Sequence, residues 1–117
     1  MSDTATDPIR YLLDPATADD FEVKHAPTIT AKPVEGGYQV HIRVGTDEVP
    51  HPSESAHWIN WIDLRVGDNS IARFDLTHLV TPDITCNIAL DPGTEINVIS
   101  SCNIHGLWGA TLALPNA

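Results

Sequence analysis

Basic residues are scarce in this sequence, which has six Lys and Arg against sixteen Asp and Glu and a net charge of −10 with neutral histidines. A chain this acidic is repelled by phosphate backbones and by anionic lipid headgroups. It also has no apolar run near the roughly 20 residues that a membrane-spanning helix needs. We therefore expect neither nucleic-acid binding nor membrane attachment.

Cysteine and methionine are rare as well. Cys86 and Cys102 are too few for the disulfide framework of a small secreted domain. The first ten residues carry two acids before the first base and have no apolar segment typical of a secretion signal. Together these absences predict a cytoplasmic protein. The single methionine is Met1, which leaves no internal thioether for a metal site.

A chain of 117 residues has room for one domain. Residues 1–20 contain five acids and one base, and we interpret them as an acidic N-terminal arm. A short apolar patch between Ile9 and Leu13 is expected to dock this arm locally as a helical turn. Residues 21–117 then form the folded domain.

Short β-type runs separated by turns fill this domain. Residues 38–44 alternate apolar and polar side chains, the period of a strand with one buried face. Residues 57–66 are rich in aromatic and branched side chains, as in a central strand. Further strands are predicted over Ser70–Leu76, Ile84–Leu90, Glu95–Ser101 and Trp108–Leu114. With no sustained helical period, the pattern predicts an all-β fold, an immunoglobulin-like β-sandwich of about seven strands.

Histidine is abundant, with six in the chain. Three separate segments place His or Cys beside a turn-forming Pro or Gly, and they supply five candidate metal ligands: His25, His51, His57, Cys102 and His105. The Cys-x-x-His step before Gly106 lets two donors approach one metal from a loop. Pro27 is expected to keep the chain extended at His25. His41, His78 and Cys86 are interpreted as structural.

The donor set restricts the metal. Five nitrogen and sulfur donors exceed the four of a structural zinc site, and calcium or magnesium would require oxygen donors. Imidazole with thiolate suits iron, copper or zinc. One alternative is a cupredoxin-like electron-transfer or metal-binding protein that uses His57, Cys102 and His105 without an axial Met. Another is a binding domain with coincidental histidines. Iron with four imidazoles and one thiolate fits the donor count better.

The three segments carry a family resemblance. Lys24-His25-x-Pro27, then Glu48-Val49-Pro50-His51-Pro52 through His57-Trp58-Ile59-x-Trp61-Ile62, and then Cys102-Asn103-Ile104-His105-Gly106-Leu107-Trp108 stand in the order and spacing of the superoxide reductase family. This family comprises the neelaredoxins and the iron-binding domain of the desulfoferrodoxins. The chain resembles its short, one-iron type.

The resemblance implies a specific site and reaction. One iron per chain would have His25, His51, His57 and His105 as equatorial ligands and Cys102 as the axial ligand. Superoxide would be reduced to hydrogen peroxide, with Lys24 as a catalytic residue that attracts superoxide and helps to order a proton-donating water. An electron donor, either rubredoxin or another small redox protein, and a homo-oligomeric assembly are also implied.

Two features depart from the family pattern. Val23 stands where the family has the Glu that caps the sixth coordination position, and Glu22 comes one residue earlier. In an extended chain that shift turns the side chain to the other face, so we expect water or small anions at the sixth position. The net charge of −10 is the second departure, because it repels both superoxide and an acidic rubredoxin.

Overall fold

The computed structural model describes residues 8–12, 14 and 16–116. This part of the chain forms eight strands and one short helix. In chain order they are β1 (Ile9–Tyr11), α1 (Asp20–His25), β2 (Pro27–Val34), β3 (Gly37–Val44), β4 (Ile59–Val66), β5 (Asn69–Asp75), β6 (Asp83–Ile88), β7 (Glu95–Cys102) and β8 (Gly106–Ala113). Among these described residues, no helix has the length and apolar character needed to cross a membrane.

The strands form two sheets. One has the order β1-β8-β7-β4-β5 and the other β2-β3-β6. All pairs are antiparallel except β1 with β8, which is parallel. Without β1, the remaining seven strands divide into sheets of three and four, as an immunoglobulin-like sandwich requires. The predicted all-β fold is confirmed.

The core lies between the two sheets. On β3, the alternating residues Tyr38, Val40, Ile42 and Val44 are all buried. They pack in one apolar cluster with inward-facing residues of β4 and β7. His41, between them, is exposed, and its Nε2 lies 2.5 Å from a carboxylate oxygen of Asp83. The period of two therefore predicted correctly both the buried face and the polar face of this strand.

The predicted arm docks on the sandwich through β1, a strand where a helical turn was expected. Ile9–Tyr11 pairs with β8, and the ring of Tyr11 covers Gly109 so closely that a Cβ there would approach it to 2.6 Å. Gly109 thus leaves room for the arm. Leu13 and residues 1–7 lie outside the described residues, and the boundary at residue 20 stays a prediction.

Helix α1 is a correction to the sequence interpretation. Asp19 caps its N-terminus: the carboxylate of Asp19 accepts from the Glu22 N–H at 2.9 Å, and the carboxylate of Glu22 accepts from the Asp19 N–H at 3.2 Å. The expectation of an extended chain at His25 is wrong, since His25 is the last helical residue. Only Ala26, directly before Pro27, is extended (φ −78°, ψ 134°), because proline restricts the residue immediately before it.

Strand β2 was not predicted either. It contains Pro27 and Pro33, which are typical of turns. Proline is tolerated here because β2 lies at the edge of its sheet and pairs only with β3 among the described strands.

Candidate metal centre

Four of the five predicted ligands meet at one end of the sandwich. The donor atoms of His25, His51, His57 and Cys102 all lie within 4.8 Å of one another. His25 ends α1, His51 follows the turn after β3, His57 precedes β4 and Cys102 ends β7. Segments far apart in the chain are thus brought to one point by the packing of the two sheets.

The imidazole rings of His25, His51, His57 and His105 surround this point. In that order, and back from His105 to His25, neighbouring ring centroids are 4.8, 4.6, 5.1 and 5.0 Å apart. Neighbouring ring planes are inclined at 75° to 86°. We call this closed arrangement the histidine ring. His105 completes it, although its nitrogens are not part of the four-residue donor group.

Hydrogen bonds show which ring nitrogen carries the proton in His25 and in His51. His25 Nδ1 lies 2.6 Å from the carbonyl oxygen of Phe21, and His51 Nδ1 lies 2.7 Å from that of Pro52. Because a carbonyl only accepts, each Nδ1 carries the proton and each Nε2 presents a lone pair. The Nε2 atoms of His25, His51 and His57 are buried without a hydrogen-bond partner among the described residues. Buried, unpaired acceptors are costly, and a metal cation would satisfy all three, so the residues fit a metal ion that accepts nitrogen and sulfur.

Backbone turns hold the two histidines of the second segment. Gly45 and Pro50 form an isolated antiparallel bridge directly before His51. Glu54 and His57 form another, with both N–H···O distances at 3.0 Å. Each histidine therefore adjoins a closed turn, which restricts its backbone although it lies outside a regular strand.

Replacing Gly45 by alanine is expected to displace His51. An added Cβ would come within 2.7 Å of the Val49 carbonyl oxygen and 2.8 Å of the His51 nitrogen, both of them backbone atoms. Gly36 is the matched control, because it has the same φ of +85° with nothing within 4 Å of an added Cβ. Gly36→Ala should cost about 1–2 kcal/mol for the left-handed backbone alone, and Gly45→Ala about 3 kcal/mol, with metal loss.

Urea unfolding and metal content of both variants test this prediction. Equal destabilisation by the two substitutions, with unchanged metal content, would show that the backbone clash beside His51 has no consequence.

Asn103 joins two loops of the site, a role that the sequence did not predict. Its side-chain oxygen accepts from the Trp58 N–H at 2.8 Å, its side-chain nitrogen donates to the Ala56 carbonyl at 3.0 Å, and its own N–H donates to the Trp58 carbonyl at 3.1 Å. Asn103 therefore ties the loop of Cys102 to the loop of His57. The available signal was an Asn inside a turn, a residue that commonly bonds nearby backbone.

Two aromatic side chains shield the histidine ring. Trp108 stacks on His25 with centroids 5.1 Å apart, and its indole N–H donates to the His105 carbonyl at 3.1 Å. Phe21 lies 4.6 Å from His25 and 5.0 Å from His105. Phe21 was not predicted, since its role depends on α1, which places it four residues before His25 on the same helical face.

Burial keeps these imidazoles neutral. It lowers the pKa of His25 to about 4; the hydrogen bond to the Phe21 carbonyl opposes this shift, and the charges of His105 and Lys24 reinforce it. Burial likewise lowers the pKa of His51 to about 4, against the bond to Pro52. For His57, burial and the neighbouring positive charges lower the pKa. Neutral imidazole is the form that ligates metals.

The sulfur of Cys102 has a mixed environment. Burial raises the pKa of its thiol, while the backbone N–H groups of Ile104 and His105 and the charge of Lys24 lower it. A bound cation favours the thiolate strongly, and the two N–H groups would then stabilise that anion. Gly106, at φ +83°, turns the chain directly after His105. Of the two donors predicted on this loop, Cys102 belongs to the donor group, whereas the His105 ring lies at its border.

Lys24 and Glu22 differ in their relation to the site. Lys24 is half-buried on α1, and its charge lowers the pKa of His25, His51 and Cys102. The carboxylate of Glu22 is held by the cap at Asp19. The expectation that an extended chain turns Glu22 away from the site is therefore wrong. The helix cap holds the Glu22 carboxylate instead.

Cys86 and His78, which were interpreted as structural, lie outside the donor group. Cys86 is partly buried on β6 and packs against the core. The ring of His78 lies 6.2 Å from that of Trp58.

Comparison with known proteins agrees with this geometry. The model of the desulfoferrodoxin family matches residues 17–111. The desulfoferrodoxin of Desulfarculus baarsii is 34% identical over 99 residues, which cover 85% of this chain and 71% of the relative.

Two solved structures share the fold. The superoxide reductase of Nanoarchaeum equitans superposes with a TM-score of 0.73 at 30% identity and covers 92% of this chain and 100% of its own. The superoxide reductase (neelaredoxin) of Archaeoglobus fulgidus in the reduced form gives 0.71 at 26% identity, over 92% and 98%. With the family match spanning most of the sandwich, the histidine ring and Cys102 included, this chain belongs to the desulfoferrodoxin family.

Proposed function

We propose that this chain is a superoxide reductase in which the thiolate of Cys102 and the imidazoles of the histidine ring would hold one iron. The observation that carries the proposal is the closed ring of four imidazoles around three buried, unpaired Nε2 atoms and one thiol. His105 is assigned as the fifth ligand because its ring closes that arrangement.

The chain's own residues prepare the site for an anion. When bound, iron supplies the single electron that superoxide takes up. Because the carbonyls of Phe21 and Pro52 keep His25 and His51 neutral, only the Cys102 thiolate offsets the positive charge of the cation. Phe21 and Trp108 cover the side of the ring and limit access of water there. Superoxide gains one electron and two protons and leaves as hydrogen peroxide.

The cupredoxin-like alternative is less consistent with the structure. It needs only His57, Cys102 and His105, so His25 and His51 should lie away from the donor atoms. Both belong to the group within 4.8 Å, and both have a buried, unpaired Nε2. The arrangement supports the larger iron set. Cytoplasmic location and homo-oligomeric assembly stay predictions from the sequence.

Product stoichiometry tests the function. Pre-reduced, iron-loaded protein should convert each superoxide to one hydrogen peroxide without releasing oxygen. Dismutation would instead yield one peroxide and one oxygen for every two superoxides. Superoxide from pulse radiolysis, with peroxide and oxygen measured together, separates the two reactions. Oxygen release in that ratio, or copper as the native metal, would contradict the proposal.

Replacing Lys24 by alanine is expected to slow the reaction with superoxide about tenfold at low ionic strength, because an interaction of about 1.4 kcal/mol with the anion is lost. Lys24→Arg should restore most of the rate, since it restores the charge. The second-order rate constant, measured against added salt, checks this expectation. A salt-independent loss shared by Lys24→Arg would instead indicate a purely structural role.

A further inference from the structure

A superoxide reductase needs a second protein that returns electrons to its centre. The docking surface for that protein rests on the proposed function. Each superoxide reduced removes one electron from the centre. The described residues hold one cluster of potential metal ligands, so no second centre among them can return the electron. A separate one-electron donor must therefore reach the histidine ring from solvent.

Two exposed apolar residues adjoin His105. Phe21 is 39% exposed and Ile104 is 56% exposed. His105 and His57 are half-buried, whereas His25 and His51 are buried. The ring of Phe21 is 5.0 Å from that of His105, and Ile104 precedes His105 in the turn. We call Phe21, Ile104 and His105 the His105 patch; exposed apolar groups beside a functional site are typical of interaction surfaces.

Acidic side chains flank the His105 patch and outnumber Lys24, whose Nζ lies 6.0 Å from the centre of the Phe21 ring. Asp19 and Asp20 are exposed at the start of α1, within two residues of Phe21. Exposed Glu54 is joined to His57 of the histidine ring by two backbone hydrogen bonds of 3.0 Å. The whole chain carries −10. A partner that complements this surface has an apolar centre surrounded by Lys and Arg.

We propose that the His105 patch docks a basic electron-donor protein. In each encounter the donor is oxidised by one electron and the centre of this chain is reduced by one, and no atom is transferred. An acidic donor of the rubredoxin type is repelled by the same charges. Docking at this patch places the donor's redox group beside His105, a half-buried imidazole of the histidine ring.

Binding of a basic haem protein, mitochondrial cytochrome c, to the iron-loaded protein tests the surface independently of superoxide. Titration calorimetry at low ionic strength should detect a complex that weakens with salt. Ile104→Lys should weaken it at least tenfold. The matched control is Ile71→Lys, which has the same net charge and a similar exposure of 44% at the original residue. Ile71 lies on β5 opposite the Leu64–Arg65 bulge, about 15 Å along β4 from the Cys102 end, and its variant should bind within twofold of wild type.

The outcomes test the docking surface separately from the proposed function. Equal weakening by both variants would mean diffuse attraction to the acidic surface and would overturn the patch, as would the absence of a complex. Superoxide consumption by pre-reduced wild-type protein is measured in parallel as the test of the proposed function. If wild type consumes no superoxide but Ile104→Lys alone loses cytochrome c binding, the proposed function fails and the docking surface stands.

Discussion

Replacing Cys102 by alanine is expected to lower the iron content of the purified protein at least tenfold and superoxide reduction at least a hundredfold. Loss of a group that only supports a ligand costs 10- to 100-fold in metal affinity or activity, and loss of the ligand itself should cost more. Cys102 is also the single thiol among the four grouped donors. Without it, only imidazole nitrogens remain in this group to bind the cation.

The matched control for this prediction is Cys86→Ala. Cys86 is likewise a free cysteine that packs against the core, but it lies on β6, outside the donor group. Both substitutions remove a sulfur from apolar surroundings, so they should destabilise the fold by a similar amount, about 1–2 kcal/mol. Metal analysis, circular dichroism and superoxide kinetics on both variants separate the two effects. Full iron content in Cys102→Ala would remove the thiolate from the proposed ligand set.

The metal-free protein should lose stability steeply as the pH falls from 6.5 to 4. The pKa values of His25 and His51 are about 4 in the folded chain, against an ordinary 6.5 in the unfolded one. Between these values the unfolded chain binds more protons, so the free energy of unfolding decreases as the pH is lowered. Both side chains are buried, and each contributes a loss of about 3 kcal/mol over that window. Above pH 6.5 the contribution is constant.

Urea unfolding of chelator-treated protein at several pH values measures this dependence. His51→Gln should remove about half of the slope, since glutamine does not titrate. A flat profile for wild type between pH 4 and 6.5 would show that the two imidazoles are solvated in the metal-free state.

Local patterns predicted most of the sandwich. The alternation in residues 38–44 and the turn residues between later runs predicted β3 to β8 to within a few residues. These features depend on neighbouring side chains, since burial of one strand face imposes a period of two. β2 was missed because prolines obscure an edge strand. α1 was missed because a capping box on a six-residue helix leaves no sustained period.

The sequence by itself determined which donors exist: three segments with His or Cys beside Pro or Gly in the family order, and no internal methionine for an axial thioether. Its net charge also argued against nucleic acids and anionic membranes as partners. Only the tertiary structure decided how the donors meet. The sheet packing brings α1, two loops and the end of β7 together, the carbonyls of Phe21 and Pro52 select the free Nε2 atoms, and Asn103 joins the loops. Side-chain chemistry is a property of residue type, whereas mutual orientation depends on contacts between residues far apart in the chain, which no local pattern contains.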